Sequence, residues 1–249
     1  MTPTATSPPA TITPLGTITA LGVAELKLLL RNRTAATLAF LLPLAGGVYF
    51  ALVLPGDGGW AAAITFQLLF TLGFTVYLTA TTALTARRQD LYLKRLRTGA
   101  ASDAVVLTGL LLPVVLLAVA QTALLLGISF AAGAPWPERP GLFLLAVGGG
   151  AAMSCVAGVL TSGVTSTAEM AQLTTGPYFI ALVFGSMVAT AGEVDDWVAF
   201  VPGGAIGLLV RAAWGGPTTQ VTLAVLSLAL WTAAAYAAST RLFRWDPRT

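Results

Sequence analysis

RRQDLYLKRLRTGAASD, residues 87–103, carries five of the thirteen lysines and arginines in a 249-residue chain that is otherwise almost uncharged. It separates two long apolar runs, so it must meet water at one face of a membrane. Lys and Arg beside membrane spans are retained on the cytoplasmic side. That rule orients the rest of the chain. A short charged helix held between two spans is also a handle that another protein can grip.

Only 9% of the residues are charged and 56% are hydrophobic. A soluble domain carries about 25% charge, so this chain cannot cover a water-facing surface and reads as an integral membrane protein. The net charge of +3 reflects loops facing anionic headgroups rather than a nucleic-acid surface. The chain has no histidine, which removes the commonest general base and metal ligand. Its one cysteine, Cys155, falls in an apolar run and has no partner for an internal disulfide.

Residues 1–13, MTPTATSPPATIT, are uncharged Thr, Pro and Ala, and read as a disordered tail. They lack the basic start and apolar core of a signal peptide. Residues 14–33 read as an amphipathic helix lying at the membrane interface, with Ile18, Gly22, Leu26 and Leu29 on one face and Lys27 and Arg31 on another. Leu21 and Leu28 stray toward the polar side. The transmembrane domain, 34–240, follows. A span needs about 20 apolar residues. Six fit, at 34–54, 60–86, 104–132, 141–165, 169–191 and 219–240. Residues 241–249 form a basic C-terminal tail.

Residues 198–214, VAFVPGGAIGLLVRAAW, are apolar but short, are expected to be broken by Pro202-Gly203-Gly204, and carry Arg211. If they crossed the bilayer, the tail with Arg241, Arg244 and Arg248 would face outward, against the positive-inside rule. They read as a re-entrant or interfacial segment on the outer side, tolerated where protein buries it. The fold class is thus all-α: six spans, an interfacial N-terminal helix and a re-entrant segment, with both termini cytoplasmic. Only Arg139 and Arg211 of the basic residues then lie outside.

No catalytic constellation is visible, so the chain itself is expected to be non-enzymatic. The GxxxxGK[ST] phosphate loop is absent. Gly148-Gly149-Gly150 lies inside span four and suits close helix packing. The span interiors contain essentially no Asp, Glu, Lys or Arg, whereas ion-coupled carriers place such groups at depth. Glu169 sits at the inner end of span five, where facing water or the positive helix N-terminus is the reading preferred over a relay. A transporter without internal relays must draw its energy from outside the chain.

At 100° per residue, Tyr92, Leu93 and Leu96 share one side of the basic loop, and Asp90, Lys94 and Arg97 the other. Asp90 and Lys94 are spaced to pair. A solvated topology signal explains the charges. It does not explain the three apolar side chains, which need the membrane surface or a partner to cover them.

The stretch RRQDLYLKRLRTG after the second span resembles the charged segment of ABC-2-type permeases, the membrane subunits of drug- or lipid-exporting ABC transporters. The order of elements over about residues 14–245, with VPGG before the last span and RLFRW near the end, is similar too. Where such permeases often have glycine after the acidic residue, this chain has Leu91, and Gly99-Ala100 replace their usual proline.

The resemblance implies two permease subunits, as a homodimer, working in the cell membrane among lipids with two ATP-binding subunits. No cofactor is expected on this chain; ATP and Mg would be held by the partner. Arg87, Arg88, Asp90, Tyr92, Leu93, Lys94, Arg95, Leu96 and Arg97 would form the ATPase-coupling loop. Glu25, Lys27, Arg31 and Arg33 would belong to the connecting helix beside it. The path for a hydrophobic or amphipathic substrate would run by Phe66, Gln67, Phe70 and Phe74 of span two. The function expected is efflux, of the kind that confers antibiotic resistance. The alternative is a non-transporting scaffold or immunity protein that recruits a cytosolic partner through the same loop.

Overall fold

A computed structural model describes residues 13–55, 59–97, 101–243 and 245. Six helices are long and apolar enough to cross a membrane: Arg33–Val53, Trp60–Gln89, Asp103–Ala131, Pro140–Val164, Ala171–Thr190 and Val221–Leu242. These are spans one to six, and the described residues form no strand. The expected disordered tail lies outside the described residues apart from Thr13.

The N-terminal helix, Pro14–Arg31, starts where the Thr13 hydroxyl accepts the Gly16 N–H at 3.2 Å, with Pro14 in the first turn. It stops at Asn32, whose side-chain oxygen accepts the Ala35 N–H at 3.1 Å and so opens span one. One residue makes the corner between the two helices. The buried side of the N-terminal helix is Leu21, Gly22 and Glu25, packed on span three. Approach is close there because Gly109 has no side chain; a Cβ would sit 2.9 Å from that of Leu21. The face read from the sequence is therefore turned: Leu21 is buried and Leu26 exposed. Small residues set this contact, and the widest apolar face does not.

Spans one and two depart from α geometry, with π turns at Thr37–Leu41 and Thr71–Leu78. A π turn leaves its ladder imperfect, and in an apolar interior side chains must satisfy freed carbonyls. Gln121 of span three donates to the carbonyls of Ala39 and Phe40 at 3.1 and 3.2 Å. The Thr75 hydroxyl lies 2.6 Å from the Ala39 carbonyl and 2.5 Å from Gln121 Oε1, its one proton serving either. Nearer Trp60, Gln67 Nε2 donates to the Gly47 carbonyl at 3.1 Å and to Ser129 Oγ at 2.9 Å. Neutral polar groups thus lock spans one, two and three together at depth.

Residues 196–213 form a 3-10 turn, Asp196–Phe200, and a helix, Pro202–Ala213. Twelve residues reach about 18 Å, short of the roughly 30 Å hydrocarbon core. Every residue of this helix except Arg211 is buried, against spans two, four, five and six. It is a re-entrant element covered by protein on all sides. Pro202 starts this helix in its first turn and does not break it. The main core gathers around it, with Ile64, Leu68 and Leu72 of span two and Met153 and Leu182 beside Ile206 and Leu209.

Candidate functional site

Span two ends at Gln89, with Asp90 as the cap. The chain then turns through Leu91 at φ +57°, the left-handed region, and the Leu91 N–H reaches back to the Arg88 carbonyl at 3.1 Å. This is the ending that glycine usually serves. A short helix, Tyr92–Arg97, follows.

Three consecutive residues before the turn each fasten to a different element. Arg87 grips Glu25 of the N-terminal helix with two bonds, Nε to Oε1 at 2.7 Å and Nη2 to Oε2 at 3.2 Å. Its guanidinium also lies 3.8 Å from the Asp90 carboxylate and 5.9 Å from the centre of the Tyr92 ring. Arg88, 1% exposed, donates from Nη1 to the Ser162 carbonyl at 2.7 Å and from Nη2 to the Thr165 carbonyl. Those carbonyls belong to the end of span four, where cationic donors suit both the orphan acceptors and the helix dipole. The Gln89 side chain accepts the Ala168 N–H at 2.9 Å, in the link to span five. Planar, bidentate arginine fits these contacts as a point-charge lysine does not.

The structure changes the reading of the loop's apolar residues. Leu93 is 0% exposed and packs with Leu84, Val106, Leu110 and Val159 of this chain. Tyr92 and Leu96 are partly buried on the same cluster, beside Phe243 and Trp245. The chain's own spans cover the side that seemed to need a partner. Arg88 is likewise a buried tie, with no surface to offer a partner. The exposed face is Asp90, Leu91, Lys94 and Arg95. The side chain of Arg97 lies outside the described residues. Glu25 is buried, while Lys27, Arg31 and Arg33 are exposed around it.

The span-two residues expected on a path divide in the same way. Gln67, 3% exposed, points into the bundle and holds spans one and three. Phe66, Phe70 and Phe74 are half-buried and form a row. Phe50 of span one stacks on Phe66 at 4.9 Å and touches Phe70 at 5.6 Å. Phe179 of span five meets Phe74 edge-on at 4.7 Å.

The sequence reading missed Thr75, Gln121 and Ser129, because a polar residue in a span shows its partner only once the helices are packed.

A family model described as ABC-2 type transporter matches residues 17–201. That interval runs from the N-terminal helix through the basic loop to the residue before the re-entrant helix. No curated protein matches the chain.

Proposed function

Because the chain belongs to the ABC-2 type transporter family, we propose that it forms the translocation path of an exporter for hydrophobic or amphipathic compounds. As a member it is a multi-pass membrane permease component of an ABC transporter, and the family implies an ATP-binding partner. In the proposed arrangement it sits in the cell membrane as a homodimer, with both termini and the basic loop in the cytoplasm. ATP and Mg²⁺ would be held by the partner.

The observation that carries the reading is the triple attachment of residues 87–89. A push on the exposed face formed by Asp90, Leu91, Lys94 and Arg95 would pass through Arg87 to the N-terminal helix. Through Arg88 it would pass to span four, and through Gln89 to the link before span five. A rigid loop that moves several spans together is what a two-state bundle driven from outside requires. The row of Phe66, Phe70 and Phe74, joined by Phe50 and Phe179, would face cargo near the second copy. Exposed Tyr49, Leu52, Ile180 and Phe184 on spans one and five give lipid or that second copy apolar surface.

The test uses the full chain co-expressed with a candidate ATP-binding subunit. Reversing the exposed charges, Lys94→Glu with Arg95→Glu, should abolish co-purification and cargo-stimulated ATP hydrolysis while leaving membrane insertion intact. Full association in that variant would remove the docking face from consideration. Leu93→Asp is a poor probe of docking, because it would bury a carboxylate in this chain's own core.

A further inference from the structure

At the basic end, the N-terminal helix, spans one, two and three, and the start of span five enclose a cleft of about 480 Å³. That volume lies within the roughly 300–1,000 Å³ typical of small-molecule sites. We infer that this cleft binds a lipophilic cation, its charge at the acidic mouth and its apolar body in the depth. The inference rests on the transport reading and gives its cargo a charge and a place.

Two sets of residues make the lining amphipathic. Leu38, Leu78, Leu110 and Val114 supply the apolar part. Leu38 and Leu78 each belong to a π turn, Thr37–Leu41 and Thr71–Leu78, so both spans leave α geometry where they border the cleft. Such turns gather at functional sites. The charged part is Glu25, Asp90, Glu169 and Arg87. The lone guanidinium is shared between Glu25 at 2.7 Å and Asp90 at 3.8 Å. No ion pair or hydrogen bond among the described residues reaches the Glu169 carboxylate.

Three carboxylates thus face one guanidinium. Helix ends do not set the sign, because Asn32 closes the N-terminal helix and opens span one while Asp90 closes span two beside the start of span five; the excess of carboxylates in the lining does. An anionic amphiphile would meet this field unpaired. A cation with a greasy body would satisfy both parts of the lining.

Tetraphenylphosphonium and tetraphenylborate, near-identical in shape and opposite in charge, separate the possibilities. Equilibrium binding to the full-length chain in alkyl maltoside micelles should show saturable uptake of the phosphonium and none of the borate. Glu169→Gln, at an exposed position, should weaken phosphonium binding about tenfold, and Ala83→Trp, which fills the cleft, should abolish it. Glu193→Gln, outside the cleft, should change nothing.

Equal binding of both ions, or an unchanged affinity in Glu169→Gln, would overturn the inference. So would complete displacement by added phosphatidylcholine, which would make the cleft a lipid site. Nucleotide and partner are absent from the measurement. Lost binding with intact ATP-driven transport therefore removes only the cleft, and intact binding without transport removes only the export reading.

Discussion

Two short helices sit between spans in this molecule, and they are built in opposite ways. Pro202–Ala213 is buried along its whole length except at Arg211, and its glycines bring it against the backbone of span five. Tyr92–Arg97 buries one side on a small satellite core and leaves Lys94 and Arg95 in the open. The first is held by backbone-to-backbone fit, which tolerates little movement without being lost. The second is held by long side chains reaching from residues 87–89 to other elements. A part fixed in the core suits a plug or a pivot. One tied by arginines and still exposed suits a lever.

The largest effect should come from breaking the fit of the first helix. A Cβ on Gly203 would overlap the Leu182 carbonyl, and backbone cannot swing aside as a side chain can. Gly203→Ala is expected to cost about 3 kcal/mol or more, seen as loss of monodisperse protein on size-exclusion chromatography. Gly148→Ala is the control, since a Cβ there meets nothing within 4 Å. If both variants behave like the parent, the helix is not seated as tightly as the comparison requires.

The same contrast shows which parts of the fold were legible in the sequence. Six spans and a re-entrant segment followed from apolar runs and from the sign of the loop charges, which depend only on composition along the chain. The seat of Leu93 did not. Its neighbours Leu84, Val106, Leu110 and Val159 come from spans two, three and four, and a helical wheel cannot show what lies across from a face. Gln67 shows the same limit: its amide marks a polar contact, and only packing shows that Gly47 and Ser129 provide it. The Gly148-Gly149-Gly150 run was read correctly as close packing in part. Gly149 and Gly150 abut Leu228 and Leu72, while Gly148 faces open space.

The two neighbouring arginines sharpen the lever half of the comparison. Arg88→Met keeps the apolar stem but strands two carbonyls at the end of span four, both in fully buried residues. Charged hydrogen bonds of this kind contribute about 1.5–3 kcal/mol each, so a loss of about 3 kcal/mol is expected. Arg87→Met leaves the Glu25 carboxylate, 8% exposed, in the cleft wall without its partner, and about 2 kcal/mol is expected there. Thermal unfolding midpoints in detergent should therefore order as parent, Arg87→Met, Arg88→Met. The reverse order would show that the tie to the N-terminal helix, and not the one to span four, fixes the loop.

The smallest effect concerns the turn between lever and span. Leu91 adopts φ +57°, where a side chain costs roughly 1–2 kcal/mol and glycine costs nothing sterically. Permeases of this family often carry glycine after the acidic residue, and here the backbone takes the shape that glycine would allow. Leu91 is 41% exposed, so little packing is lost by removing it. Glycine also gains freedom in the unfolded chain, which offsets about 0.5–1 kcal/mol. A net gain of somewhat under 1 kcal/mol is expected for Leu91→Gly, raising the unfolding midpoint by about 2 °C. A lowered midpoint would mean that the leucine is held by contacts stronger than its exposure suggests.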